Sequence, residues 1–158
     1  MNCLYKYIDF FLNFAYIYNK GTLVMEELSK TANAVYSLRY HLILVVKYRK
    51  KVFTTDHIIE ALKEFNKGVA AGYGVEILNQ ECGDDHIHLL ISTKPSTDLC
   101  KFINILKGHS SRFLRKEFSE EIKKELWGDS FWSPSYYIST VGNTSLDTLY
   151  NYISNQRI

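Results

Sequence analysis

Gly83-Asp84-Asp85-His86-Ile87-His88-Leu89-Leu90-Ile91 is the stretch on which the reading of this chain turns. Three turn formers, Gly83, Asp84 and Asp85, lead into an apolar run that Ser92-Thr93-Lys94-Pro95-Ser96 closes. An apolar run of this length between turn signals predicts a strand. Side chains alternate along a strand, so His86 and His88 point one way. Ile87, Leu89 and Ile91 point the other way, into a core. Two imidazoles on one sheet face have the placement of a metal-ligand pair. A half-buried strand with two solvated histidines has the same pattern, so the rest of the chain must decide between the two.

The chain has 158 residues, 46% of them hydrophobic, which fits one globular domain with an ordinary core. A net charge of +2 does not mark a nucleic-acid binder, so any basic surface is local. Aromatics reach 15%, with 12 tyrosines, a surplus that suits core packing and base stacking alike. Cys3, Cys82 and Cys100 are odd in number and lack Cys-x-x-Cys spacing. That argues against a disulfide framework or a cysteine zinc site and favours the reducing cytoplasm.

Residues 1–24 read as an N-terminal extension outside the core, an upstream translation or an appended helix, with residues 25–158 as the domain. The apolar stretch from Phe10 to Tyr18 is bounded by Lys6, Asp9 and Lys20. It is too short for a membrane span and lacks a small-residue cleavage site. Residues 36–46 alternate and predict a long strand, followed by the basic, aromatic run Lys47-Tyr48-Arg49-Lys50-Lys51. Such a run suits a nucleic-acid backbone plus stacking, and equally a solvated loop.

Thr54-Thr55-Asp56 caps a helix to about Ala71, with Gly72 as its stop and Ile58, Ile59, Leu62, Phe65 and Val69 as its buried stripe. A strand begins at Val75–Leu78, and a loop through Cys82-Gly83 leads to the histidine strand. Ser96 caps a second helix over residues 96–118. Its polar side carries Lys101, Lys107, Arg112 and Arg115 and no acid. A short helix over residues 119–126 and a strand over residues 131–139 follow, with Pro134 confining that strand to an edge. The order strand, helix, strand, strand, helix, strand is the ferredoxin-like βαββαβ pattern, an α+β fold with an antiparallel sheet. Its first and third strands are central, which puts His86 and His88 mid-sheet.

After Gly142-Asn143 a last helix is added. Leu146, Leu149, Tyr150 and Ile153 form its buried face. Tyr152 lies off that face, with Gln156 one turn further on. This C-terminal helix can lie over the two histidines and present a phenol beside an amide oxygen, although both residues are also ordinary boundary types.

His86-Ile87-His88 followed by Tyr152-x-x-x-Gln156 resembles the single-tyrosine HUH transposases of small bacterial insertion sequences. The resemblance runs from about Met25 to the end. It includes Tyr40-His41-Leu42 with Lys47-Tyr48-Arg49-Lys50, Asp85 to Ile91, Leu106-Lys107-Gly108-His109-Ser110-Ser111, and Phe131 to Tyr137. Gly83-Asp84 stands where that family often has a proline before the Asp-His. The resemblance implies a ferredoxin-like core, a tyrosine nucleophile, a divalent cation (Mg²⁺ or Mn²⁺) and a homodimer. It also implies hairpin recognition and the cutting and rejoining of single-stranded DNA.

On that reading Tyr152 is the nucleophile, and His86, His88 and Gln156 are neutral metal ligands. Lys47, Tyr48, Arg49, Lys50, Lys101, Lys107, Arg112 and Arg115 hold DNA. Strand exchange through a phosphotyrosine conserves the phosphoester, so no nucleotide cofactor is needed, and no Gly-Lys-Ser/Thr phosphate loop is present. Two other classes fit a ferredoxin-like sheet. One is a non-catalytic RRM-like nucleic-acid-binding module, although no RNP signature is found. The other is a metal-dependent phosphodiesterase using water.

Overall fold

The computed structural model describes residues 14–19 and 22–141, with side chains from residue 28 onward. The helix expected after Gly142-Asn143, with Tyr150, Tyr152 and Gln156, lies outside the described residues.

Strand β1 (Phe14–Asn19) pairs antiparallel with β2 (Thr22–Glu27). The described part of the N-terminal extension is therefore strand, not helix. Its apolar run is rich in tyrosine and β-branched residues, which favour the extended backbone. Strand β2 carries the chain across the expected boundary after residue 24. A second small hairpin follows, β3 (Ser29–Thr31) with β4 (Ala34–Tyr36). Tyr36 belongs to this hairpin, so the long strand expected over residues 36–46 is shortened to β5 (Arg39–Val46).

Helix α1 (Asp56–Gly72) buries Ile58, Ile59, Leu62, Asn66 and Ala70. Phe65 lies at the edge of that stripe and stacks on Phe113 with ring centroids 4.2 Å apart. Strand β6 (Glu76–Cys82) runs four residues beyond Leu78, because its pairing with β7 (His86–Ser92) persists through an irregularity between Ile77 and Asn79. The loop between β6 and β7 shrinks to Gly83-Asp84-Asp85. Helix α2 (Leu99–Glu117) is capped by Asp98, whose carboxylate accepts from the Lys101 amide at 3.0 Å, and not by Ser96. Helix α3 (Ser119–Glu125) leads to β8 (Trp132–Thr140).

The main sheet has the order β6-β7-β5-β8, with every pairing antiparallel. This is the ferredoxin-like arrangement, with β5 and β7 central and the Pro134 strand at an edge. One face of the sheet meets the helices. Leu42, Leu44 and Val46 of β5 and Ile87, Leu89 and Ile91 of β7 join Leu62, Phe102, Ile103, Leu106 and Leu114 in a single core, all nearly inaccessible. Burying each such side chain favours folding by about 1.5–3 kcal/mol. Since these β7 residues face the helices, alternation fixes His86 and His88 on the other face. No helix among the described residues is long and apolar enough to cross a membrane.

Candidate active site

Cross-strand register assembles the site. Ile43 stands opposite His88 and Val45 opposite His86 on one side of β5, while Tyr137 stands opposite Ile43 on the other. Directly opposed residues share a face, so the histidine pair, His41 and Tyr137 all project from the side away from the helices. The His41 and His88 rings lie edge to edge and nearly parallel, with centroids 5.1 Å apart and an interplanar angle of 16°. The Tyr137 ring stands edge-on to His41 at 6.5 Å.

Each imidazole of the pair is held by its Nδ1. Nδ1 of His86 is 2.6 Å from Oδ1 of Asp85. The other oxygen of that carboxylate accepts from Nε of Arg49 at 2.6 Å. Burial alone raises the Asp85 carboxyl, but hydrogen bonds and charge from His86 and Arg49 outweigh it and hold it below the ordinary carboxylate value. Asp85 is therefore an ionised acceptor, and His86 donates to it from Nδ1. Nδ1 of His88 is 2.9 Å from Nε2 of His41, with both rings buried. Burial, reinforced by the neighbouring His86 and His41, lowers the His88 imidazole to about 4. Burial lowers His41 as well. The two rings are thus neutral at pH 7, and one nitrogen of the contact donates while the other accepts.

Nε2 of His88 is left buried with no hydrogen-bond partner among the described residues. A buried imidazole nitrogen without a partner is costly unless something takes its lone pair. With His88 protonated at Nδ1 and donating to His41, that nitrogen is a free donor atom. The carboxylate on His86 is an outer partner that metal-ligating histidines use, and the His41 imidazole stands in the same place on His88. The residues present therefore fit a divalent cation. Among the described residues no group of three or more His, Cys, Asp or Glu is placed to hold a metal ion. Gln156, the expected third ligand, and Tyr152, the expected nucleophile, lie outside the described residues.

Gly83 supports the pair from below. A Cβ at residue 83 would fall 2.8 Å from Nε2 and 2.9 Å from Nδ1 of His86, and closer still to Cε1. Only a glycine lets the β6–β7 loop run this close to the ring. Residues 47–49 form a single 3-10 turn directly after β5. The Lys47 amide donates to the Phe131 carbonyl at 2.8 Å and Arg49 is fixed to Asp85, so this basic run lies at the His86 end of the sheet. Lys50 follows it.

The cations of α2 are placed elsewhere. Helix α2 packs on the core face of the sheet, so Lys101, Lys107, Arg112 and Arg115 are on the opposite side from the histidines. Nζ of Lys107 donates to the Pro134 carbonyl at 2.9 Å and lies 5.7 Å over the Tyr136 ring. Nε and Nη2 of Arg115 are buried without partners among the described residues, whereas Lys101 and Arg112 are exposed. Sequence reasoning missed His41 and Asp85 as members of the site. The signal for His41 was its odd-numbered position in β5, which put it on the face away from Leu42 and Leu44.

Residues 34–156 match the model of the family described as "Transposase IS200 like". The chain is similar to the ISDra2 transposase TnpA of Deinococcus radiodurans, with 37% identity over 130 residues, 82% of this chain and 91% of that protein. It is also similar to the transposase of insertion sequence element IS200 from Salmonella typhimurium, with 30% identity over 125 residues, 79% of this chain and 80% of that one. A crystal structure of a Deinococcus radiodurans transposase superimposes with a TM-score of 0.66 at 34% identity, covering 81% of this chain and 97% of that chain. A REP-associated tyrosine transposase bound to a REP hairpin shares the fold, with a TM-score of 0.53 at 12% identity over 79% of this chain and 68% of that one. With the histidine face intact and the family match running almost the whole length of the domain, the chain belongs to the IS200-like transposases, enzymes of DNA transposition.

Proposed function

We propose that this transposase cuts and rejoins single-stranded DNA at hairpin-bearing element ends through a 5′-phosphotyrosine, working as a homodimer in the cytoplasm. The observation that carries the reading is the pair of imidazoles fixed by their Nδ1 atoms on one face, with Nε2 of His88 buried and unpartnered among the described residues.

His86, His88 and Gln156 hold a divalent cation, Mg²⁺ or Mn²⁺, which when bound polarises the scissile phosphate and steadies the charge developing on it. Asp85 and His41 orient the two rings and keep Nε2 of each unprotonated. Tyr152 Oη, once deprotonated, attacks the phosphorus. The P–O3′ bond breaks, the 3′ oxygen leaves as a hydroxyl, and the tyrosine carries the 5′ phosphate. A second 3′-hydroxyl attacks that phosphotyrosine and frees Tyr152, so the phosphoester is conserved and no nucleotide is consumed. Lys47, Tyr48, Arg49 and Lys50 border the His86 end of the sheet and guide the strand there. Lys101, Lys107, Arg112 and Arg115, on the other side of the sheet, hold the hairpin DNA.

The test is a denaturing gel of the protein with labelled single-stranded element ends and Mn²⁺ or Mg²⁺. A covalent adduct forms with wild type, disappears in Tyr152→Phe, and survives in Tyr150→Phe and Tyr137→Phe. An adduct that persists in Tyr152→Phe, or that is lost only in Tyr137→Phe, overturns the nucleophile assignment. Tyr137 is the control because it shares the histidine face.

A further inference from the structure

We propose that Tyr48 and Trp127 are the two sides of a subsite that takes an unstacked nucleobase of single-stranded DNA. The inference deepens the single-strand reading above and rests on it.

The two rings reach solvent for separate reasons. Tyr48 follows β5 in a left-handed conformation, φ 59° and ψ 20°, and Arg49 repeats it at φ 55°. Left-handed backbone is unfavourable for residues with a Cβ, and two in succession are held only where their surroundings impose them. Here the Arg49–Asp85 ion pair and the bond from the Lys47 amide to Phe131 impose them. The turn throws the Tyr48 ring outward, leaving it 74% exposed. On the other side, Leu126 ends α3 by burying its own side chain, so the next residue points away from the core. That residue is Trp127, 80% exposed. Gly128 then turns the chain through φ 97° into the buried Phe131 and Trp132.

Single exposed aromatics need no explanation, but these two line one cleft of about 380 Å³. Its other lining residues include Lys47, Lys50 and Asp129. Nζ of Lys47 sits 5.1 Å from the Tyr48 centroid. A cleft with aromatic sides and ammonium groups at its lip matches a nucleotide, the base stacked between rings and the phosphate on lysine. Asp129 repels a phosphate from the interior, so the base enters and the backbone stays outside. A duplex offers no unstacked base to such a cleft. The strained turn is joined to the active site through one carboxylate, since Asp85 bonds Arg49 and His86 together. A base held there lies beside the phosphate to be cut.

The experiment uses the full chain, an oligothymidylate, an abasic strand of equal length and a blunt duplex. Trp127 and Trp132 are the only tryptophans, and Trp132 is buried, so quenching of tryptophan emission by the oligothymidylate reports on Trp127. Trp127→Ala weakens oligothymidylate binding about tenfold and abolishes the preference over the abasic strand, while Trp127→Phe restores both. The salt dependence keeps its slope in Trp127→Ala and flattens by about 0.7 in Lys50→Ala. Tyr48→Gly separates structure from binding. It relieves the left-handed strain and raises Tm, yet loses affinity for the oligothymidylate. The proposal is overturned if Tyr48→Gly and Trp127→Ala bind the strand as wild type does. It is also overturned if Trp127→Ala turns a dimer into a monomer, which makes the ring an interface residue. If wild type itself binds duplex as tightly as single strand, the single-strand reading falls and the subsite with it. Wild-type preference for single strands, unchanged in both variants, removes the subsite alone.

Discussion

Replacing His41 with leucine removes the one side-chain hydrogen bond that His88 makes among the described residues, and puts an apolar side chain in its place. The contact is 2.9 Å long, and its residues are 8% and 5% exposed, so water does not take over either nitrogen. Nδ1 of His88 is then a buried polar atom without a partner, which costs about 1–3 kcal/mol. The metal-free protein should lose about 2 kcal/mol of that range, since leucine recovers part of the packing. The loss reaches the metal as well. With no acceptor at Nδ1 the His88 proton is free to move to Nε2, the nitrogen meant for the cation, and outer-partner losses of this kind weaken metal binding about 10- to 100-fold. His41→Gln places an amide oxygen near the former Nε2 position and should restore most of both effects. Denaturant melts in chelator measure the first effect and Mn²⁺ titration followed by electron paramagnetic resonance the second. Nitrogen-15 shifts of the His88 ring report the tautomer directly in the metal-free protein. Wild-type Mn²⁺ affinity and an unchanged His88 tautomer in His41→Leu would refute the reasoning.

Gly83→Ala drives a methyl group into the His86 ring and should weaken Mn²⁺ binding at least tenfold with little change in Tm, checked by the same titration; intact affinity would show that the ring yields freely. Ser110→Ala strips the acceptor from the buried Trp132 indole, bonded at 2.9 Å, and should cost about 1–3 kcal/mol in a denaturant melt. The metal-free fold should also weaken in acid. Unfolded His88 takes a proton below its ordinary 6.5 and the folded residue only below about 4, so its stabilising contribution is complete above pH 6.5 and is lost as pH falls between those values. The loss is on the order of 3 kcal/mol and should be absent from melts of His88→Gln.

Period-two patterning made most of the sheet legible. The alternation around His86 and His88 placed the pair, and the element order placed their strand in the centre. What patterning cannot supply is register. His41 meets His88 across 47 residues of sequence, and only the pairing of Ile43 with His88 brings them together. Helix periodicity likewise separated the cations of α2 from its apolar stripe, but it does not say which face of the sheet the helix covers. That is why Lys101, Lys107, Arg112 and Arg115 proved to lie away from the histidines. The stretch from Phe14 was ambiguous because a short apolar run suits strand or helix equally. Ser96 and Asp98 are both good caps, and only the bond to the Lys101 amide distinguishes them.

Strand β5 is hydrogen-bonded on both sides, yet neither neighbour is close to it in sequence: Leu42 pairs with Leu89 on one flank and Ile138 on the other. Closing such distant pairs is entropically demanding and slows folding relative to hairpin-built sheets. On the ribosome, β5 emerges with both edges open and can satisfy one only after β7 is made. The second closes only when β8 has been made. Until then the chain carries an apolar strand of high β-propensity with an open edge, a template for pairing with another copy. A ribosome pause between β7 and β8 should therefore lower the soluble yield without altering a single residue.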